Sequence, residues 1–349
     1  MNTVTVRESD ANFSEKLKEL GKILREGGLV AFPTETVYGL GGNALSAESA
    51  RKIYAAKGRP SDNPLIVHVA SADDVPRLVT RVTPLEKKLM EIFWPGPLTI
   101  VFPKKEIIPD ATSGGLSTVA VRCPAHPATR ALIREAGVPI AGPSANISGK
   151  PSPTTVEDVL RDLGGRIDAV IDGGPCEVGL ESTIIACEGD VITLYRPGGV
   201  TVEMLEKYAP VSVDPAILGK TATKEPPKAP GMKYRHYAPS APMTVYTGDV
   251  KKTENILKEI AENEPGAGFF VSEETAALLP KDRAIFIWGA RGDEATMARR
   301  LFAGLHYFDA HPVSAIYGEG IAAFGIGFAI MNRLTKATGY HIIVENAEE

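Results

Sequence analysis

Residues 209–242 constrain this chain more than any other feature: seven prolines fall inside the stretch, and no helical period survives them. Each proline fixes φ, removes a backbone donor and pushes the residue before it out of the helical region, so the stretch joins packed units and forms none itself. The pattern predicts a larger domain over 1–208, a linker or lid over 209–242, and a smaller domain over 243–349. The 349 residues, 44% hydrophobic and 23% charged, are enough for two globular cores.

In the first part, Phe13, Leu17, Leu20, Ile23 and Leu24 share one helical face, closed by Gly27 and Gly28, and an apolar strand at 29–32 follows at once. Residues 65–69, 98–102, 118–122, 169–172 and 182–186 read as further strands, with helices between most of them. Thr83-Pro84-Leu85-Glu86 is a capping box with proline in the first turn, and Thr154 or Thr155 caps a helix before Val156. Residues 183–196 read as two strands joined at Glu188-Gly189-Asp190. A hairpin inside a βα pattern predicts an α/β fold with a twisted, mixed parallel and antiparallel sheet.

After the prolines the rhythm resumes: strands at 243–246, 268–271, 284–288 and 314–317, and helices at 250–262, 294–306 and 326–336. Such alternation predicts a small parallel-sheet domain, Rossmann-like in the loose sense.

No run of about 18 apolar residues exists, and the opening MNTVTVRESD has neither the basic cap nor the apolar core of a signal peptide, so a soluble, cytoplasmic protein without membrane attachment is expected. Cys123, Cys176 and Cys187 form no C-x-x-C pair, which favours neither a disulfide framework nor a zinc site; they read as core or near-surface thiols, and no metal site is expected. Net charge is −5 with no Lys/Arg block, which argues against stable nucleic-acid binding and leaves room for a local basic pocket.

Two segments could carry chemistry. Lys57-Gly58-Arg59 ends a helix and precedes Pro60 and the turn Ser61-Asp62-Asn63-Pro64. Two cations flanking a glycine can converge as exposed ligands on one phosphate, or simply complement the helix dipole. Pro143-Ser144-Ala145-Asn146-Ile147-Ser148-Gly149 can offer neutral donors to phosphate or ribose, or be a hydrogen-bonded turn; it lacks the lysine and spacing of a P-loop.

Together these segments say more. Lys57-x-Arg59 and Ser144-x-Asn146, preceded by Pro33-Thr34-Glu35-Thr36-Val37-Tyr38-Gly39-Leu40, resemble the YrdC family. The resemblance runs through Trp94-Pro95-Gly96-Pro97-Leu98-Thr99, Val121-Arg122-Cys123-Pro124, Leu180-Glu181-Ser182-Thr183-Ile184 and Tyr195-Arg196-Pro197-Gly198, and covers residues 10–208. The segment from Pro230 through Tyr234-Arg235-His236-Tyr237 to Pro239, with Asn332-Arg333-Leu334 and Lys336-Ala337, is similar to the long, two-domain threonylcarbamoyl-AMP synthases.

The resemblance implies a substrate cavity in the mixed sheet and the formation of threonylcarbamoyl-AMP and pyrophosphate from L-threonine, bicarbonate and ATP, with Mg2+ on the triphosphate. A downstream threonylcarbamoyl transferase complex that modifies tRNA beside the anticodon would be a transient partner. It implies ATP contacts from Lys57, Arg59, Asn63, Thr118, Ser144, Asn146, Ser152, Arg196 and Tyr234, with Lys57 and Arg59 balancing charge as pyrophosphate leaves. It implies a threonine site of Thr36, His68, Arg122, Gly142 and Ser182, where Arg122 offers a planar fork to the carboxylate. His68 reads as a lining residue ahead of a catalytic base, and Glu35, Glu181 and Asp62 as solvated surface carboxylates ahead of helpers to the magnesium. Two other readings are a carbamoyl-AMP-forming maturation factor, disfavoured by the missing C-x-x-C segments, and an RNA-binding or ribosome-assembly module, disfavoured by the acidic charge.

Overall fold

The computed structural model describes residues 2–218 and 236–345. They fall into two compact units, one drawn from residues 2–148, 152–177 and 181–218, the other from 149–151, 178–180 and 236–345.

In the first unit the helix Phe13–Arg25 buries Leu17, Leu20 and Leu24, the stripe its spacing predicts. Gly27 ends it at φ 88°, and the Gly28 N–H returns to the Ile23 carbonyl at 2.8 Å, a glycine-led C-terminus. The strands are β1 (Val4–Arg7), β2 (Val30–Phe32), β3 (Gly39–Asn43), β4 (Ile66–His68), β5 (Leu98–Pro103), β6 (Thr118–Arg122), β7 (Ile140–Ala141), β8 (Ala169–Asp172), β9 (Thr183–Glu188), β10 (Val191–Arg196) and β11 (Val211–Val213). They form one sheet in the order β1-β8-β2-β3-β7-β4-β6-β5-β9-β10-β11. Parallel pairs such as β1 with β8 and β4 with β6 mix with antiparallel pairs such as β2 with β3 and β9 with β10. The mixed sheet is thus the one the hairpin predicts. In that hairpin Glu188 pairs with Val191, leaving Gly189 at φ 62° and Asp190 as a two-residue turn.

The local signals at helix starts hold. Thr83 Oγ1 accepts the Glu86 N–H at 3.2 Å while Glu86 Oε2 accepts the Thr83 N–H at 2.6 Å, with Pro84 opening the helix Pro84–Phe93. Thr155, not Thr154, caps the helix Val156–Leu163.

Four strands of this sheet lie outside the predicted set: β1, β3, the two-residue β7 and β11. The β3 sequence is Gly-Leu-Gly-Gly-Asn, which has no strand propensity; a Cβ on Gly39 would meet the Phe32 ring at 2.5 Å, and one on Gly41 would meet the Val30 carbonyl at 2.9 Å. Neighbouring strands hold β3 in place, and glycine lets them approach. β11, inside the stretch expected as linker, pairs parallel with β10, Ile192 opposite Val211, and a three-residue strand between Pro210 and Pro215 is too short to show a period. β1 is a short edge strand with Val4 exposed. One core gathers Leu20, Leu24, Phe32, Leu132, Ile140 and Ile171 between the helix Phe13–Arg25, the helix Pro127–Ala136 and the sheet.

The second unit holds β12 (Met243–Gly248), β13 (Gly268–Val271), β14 (Ala284–Ile287), β15 (Ile316–Glu319) and β16 (Ile342–Glu345), ordered β14-β13-β15-β12-β16 and parallel throughout. The helices Val250–Asn263, Glu294–Ala310 and Ile326–Ala337 cross between strands as expected; β16 lies beyond the predicted pattern. Its core is aromatic, with Phe270 packed on Phe286 and Trp288 at 5.8 and 4.7 Å between ring centroids. Tyr237, at the end of the proline-rich stretch, is buried at φ 64° with its ring 5.1 Å from Phe302. No helix among the described residues is long and apolar enough to cross a membrane.

Candidate functional site

The helix Ala47–Lys57 starts on Ser46, whose hydroxyl accepts the Ser49 N–H, and ends on Gly58 in the left-handed region at φ 62°. Lys57, expected as an exposed phosphate ligand, is only 1% exposed. Its Nζ donates to the carbonyl oxygens of Ser144 and Asn146 and reaches Asn146 Oδ1 at 3.4 Å. Carbonyls in a tightly folded loop need donors, and the ammonium supplies them, which draws Lys57 inward. Burial and the nearby Arg59 charge hold its pKa well below the ordinary lysine value, with Asp162 opposing. Ser144 Oγ donates to Asn146 Oδ1 at 2.5 Å, so lysine, serine and asparagine form one knot.

Arg59 stays half-buried beside it, with Nε donating to the Asn63 carbonyl at 3.3 Å and Nη2 to the Pro64 carbonyl at 3.1 Å. Asn63 is buried and its Oδ1 has no hydrogen-bond partner. The parallel register that pairs Ile66 with Ala120 sets Thr118 at the Pro64 end of this strand pair.

At the other end of the same pair, His68 lies opposite Arg122. Arg122 is buried: Nη1 donates to Thr36 Oγ1 at 2.9 Å, Nη2 to Glu35 Oε1 at 2.6 Å and Nε to the Gly96 carbonyl at 3.3 Å. Glu35 also accepts the Ala125 N–H at 3.0 Å. Thr36 in turn shares a 2.8 Å hydrogen bond with Thr34. His68 packs edge-on against Phe32 with ring centroids 5.4 Å apart, and burial, then the Arg122 charge, push its pKa down to about 3. It is a neutral imidazole at physiological pH, as a lining residue would be. Gly142 closes this corner, for a Cβ there would come within 2.8 Å of Phe32 Cζ and 3.2 Å of His68 Nδ1.

Ser182 shares a 2.7 Å hydrogen bond with Thr99, whose strand partner is Arg122, and receives Arg196 Nη2 on its hydroxyl at 3.1 Å and Arg196 Nε on its carbonyl at 2.9 Å. Ser152 donates to Glu181 Oε1 at 2.6 Å. Glu35 and Glu181, read from sequence as solvated carboxylates, are 7% and 6% exposed; each is buried because cationic, hydroxyl or amide donors meet it.

The expected residues thus form connected polar groups: Lys57, Ser144 and Asn146; Arg59 and Asn63; Thr36, His68, Arg122 and Gly142; Ser182 with Arg196, and Ser152 through Glu181. The short run Gly142-Pro143-Ser144 joins the first group to the third. Tyr234 lies outside the described residues. Sequence reasoning missed the parts played by Glu35, Thr99 and Glu181, although each sits inside a motif it quoted.

The chemistry on offer is neutral donors, the three guanidiniums of Arg59, Arg122 and Arg196, and a lysine. The three thiols are free and buried, and desolvation pushes Cys123 up to about 11 and Cys176 and Cys187 to about 12, so none is a thiolate nucleophile at neutral pH. Among the described residues no group of three or more His, Cys, Asp and Glu is placed to hold a metal ion. A cavity of about 600 Å3 in the same unit is lined by Trp94, Cys123, Arg130 and Arg134 and by none of the expected site residues, so it is not this site.

The Sua5_yciO_yrdC family, described as telomere recombination, matches residues 22–198, and the threonylcarbamoyl-AMP synthase C-terminal domain matches 200–339. A threonylcarbamoyl-AMP synthase of Bacillus subtilis is 44% identical over 97% of this chain and 98% of its own length. One from Pyrococcus abyssi is 45% identical over 94% and 95%. The crystal structure of P. abyssi Sua5 complexed with L-threonine superposes with a TM-score of 0.90 at 43% identity, covering 99% of this chain and 100% of that one.

Proposed function

The chain belongs to the Sua5_yciO_yrdC family with a threonylcarbamoyl-AMP synthase C-terminal domain behind it, and from this we propose that it forms threonylcarbamoyl-AMP and pyrophosphate from L-threonine, bicarbonate and ATP. The observation that carries the reading is the adjacency of two polar groups: a corner of Thr36, His68, Arg122 and Gly142, and, across Gly142-Pro143-Ser144, the Lys57 knot. The relative with L-threonine bound supports the amino acid as substrate.

The threonine amine and bicarbonate condense to a carbamate with loss of water, and a carbamate oxygen attacks the α-phosphorus of ATP and expels pyrophosphate. Such a step needs positioning and fixed charge more than covalent help, with orientation supplying roughly 7 to 11 kcal/mol in favourable cases. Arg122, held by Glu35 and Thr36, keeps N–H groups for the threonine carboxylate, and Ser182 completes that wall. Lys57 fixes the Ser144–Asn146 loop with two of its N–H groups, and the third, engaged only by the 3.4 Å contact, serves a phosphate oxygen. Arg59, Asn63, Thr118, Ser152 and Arg196 complete the ATP side. Mg2+ arrives on the triphosphate, which supplies most of its ligands. The substrates are metabolites of the cytoplasm, the proposed workplace, and a mixed anhydride of this kind must be consumed by an acyl transferase, here one acting on tRNA.

The deciding assay incubates the protein with ATP, bicarbonate and each of several amino acids and identifies adenylates by mass spectrometry. Threonylcarbamoyl-AMP with threonine is the expected product. Its absence under conditions where the protein is folded overturns the proposal.

A further inference from the structure

The second unit contains a crevice of about 450 Å3 at the carboxyl ends of β12 and β15. These strands are neighbours, yet β12 leads across to β13 on one side of the sheet while β15 leads to β16 on the other. Parallel crossovers leaving in opposite directions run over opposite faces, and the gap between them is where open α/β sheets take small ligands.

The lining says what kind of ligand. Thr253 is 5% exposed, faces the crevice and has a hydroxyl without a hydrogen-bond partner, a costly arrangement that a ligand atom would relieve. Positive charge is already committed: Arg291 Nη2 lies 2.9 Å from Glu254, 3.0 Å from Thr275 Oγ1 and 3.7 Å from Glu319. The helices that start at the crevice, Val250–Asn263 and Glu294–Ala310, are capped by the carboxylates of Asp249 and Asp293, at 2.9 and 3.1 Å from backbone N–H groups. Glu294 and Glu319 add further negative charge to the lining. A phosphate would find no free cation there and several carboxylates. Val250 and Ile321 add apolar surface to the lining, with Met297 fully buried at its edge, and the volume falls in the range of small-molecule sites.

We propose that this crevice is a second ligand site, separate from the polar groups of the first unit, and that it takes an uncharged nucleoside: the base against Val250 and Ile321, and a hydroxyl on Thr253 Oγ1. This goes beyond the synthase reading and does not depend on it.

The test uses the full chain with 13C-methyl-labelled methionine, so that the Met297 signal, assigned with Met297→Leu, reports on the crevice alone. Adenosine, guanosine, cytidine and uridine are titrated separately, and the 5′-monophosphate of any nucleoside that binds is titrated beside it. At least one nucleoside should shift Met297 saturably, with its monophosphate about tenfold weaker; Thr253→Val should weaken the nucleoside about tenfold and Thr253→Ser should keep it. The proposal is overturned if no nucleoside moves Met297 at millimolar concentration, or if the monophosphate binds as well as the nucleoside. Should Thr253→Val fail to fold, the comparison of nucleoside with monophosphate on the unaltered protein still decides.

Discussion

Arg122 Nη2 stands 2.6 Å from Glu35 Oε1 with the two side chains 4% and 8% exposed, so the arginine proposed to face threonine is itself held by a buried carboxylate. Removing one partner of a buried pair strands the other charge, at about 3 to 5 kcal/mol. Glu35→Ala should lower stability by that order in chemical unfolding. The milder Glu35→Gln should keep the fold and raise the KM for threonine much more than that for ATP. Equal changes in both constants would detach Arg122 from the amino acid.

His68 supplies a pH signature. Its pKa falls from 6.5 in the unfolded chain to about 3 in the folded one, so the unfolded state binds the extra proton between those values. Its contribution to stability is full above pH 6.5 and declines as pH drops toward 3, by up to ~1.4 kcal/mol per pH unit. Urea midpoints measured at about pH 7 and about pH 4 should therefore converge more closely in His68→Gln than in the parent. The same acid loss in both proteins would mean that the imidazole is not held neutral.

Lys57 and Arg59, two residues apart, should behave differently. Lys57→Met leaves the Ser144 and Asn146 carbonyls without their donor, so it should lose stability by about 1 to 3 kcal/mol as well as nearly all adenylate formation. Arg59→Ala, at a half-buried position where the guanidinium donates to the nearby Asn63 and Pro64 carbonyls, should melt within a few degrees of the parent while its KM for ATP rises about tenfold. Pyrophosphate release followed alongside thermal melts separates the two; an active Lys57→Met would remove that residue from the site.

Gly142→Ala places a methyl 2.8 Å from Phe32 Cζ and 3.2 Å from His68. Overpacking of this kind costs about 1 to 3 kcal/mol, and the displaced imidazole should raise the KM for threonine with little change for ATP. A variant with parental stability and kinetics would show that the corner has slack.

Much of this was legible in the chain. The Phe13–Arg25 helix, the capping box at Thr83 and the Glu188–Val191 hairpin follow from local rules, and the mixed sheet follows from the hairpin. What stayed hidden depends on distant partners. Nothing local makes Gly39–Asn43 a strand; Phe32 and Ile140 do. Nothing local buries Lys57 or Glu35 either, since their partners lie 87 residues or more away along the chain. Motif reasoning named side chains that the fold brings into connected groups, but charge and exposure were set by contacts that spacing does not reveal.

The order of strands in the first sheet has a consequence for the chain during its synthesis. β1 and β2 flank β8, and β5 lies against β9, so strands made early wait for residues 169–188 before their hydrogen bonds close. Until then the nascent chain presents open edges and the unpaired apolar face of Val30–Phe32, the state in which β-rich chains aggregate or recruit chaperones. The second unit, emerging later, would pair its own strands only after the first sheet has every strand it needs. A ribosome stalled soon after residue 150 should thus expose a protease-sensitive chain, and one stalled beyond about residue 250, allowing for the exit tunnel, a resistant one.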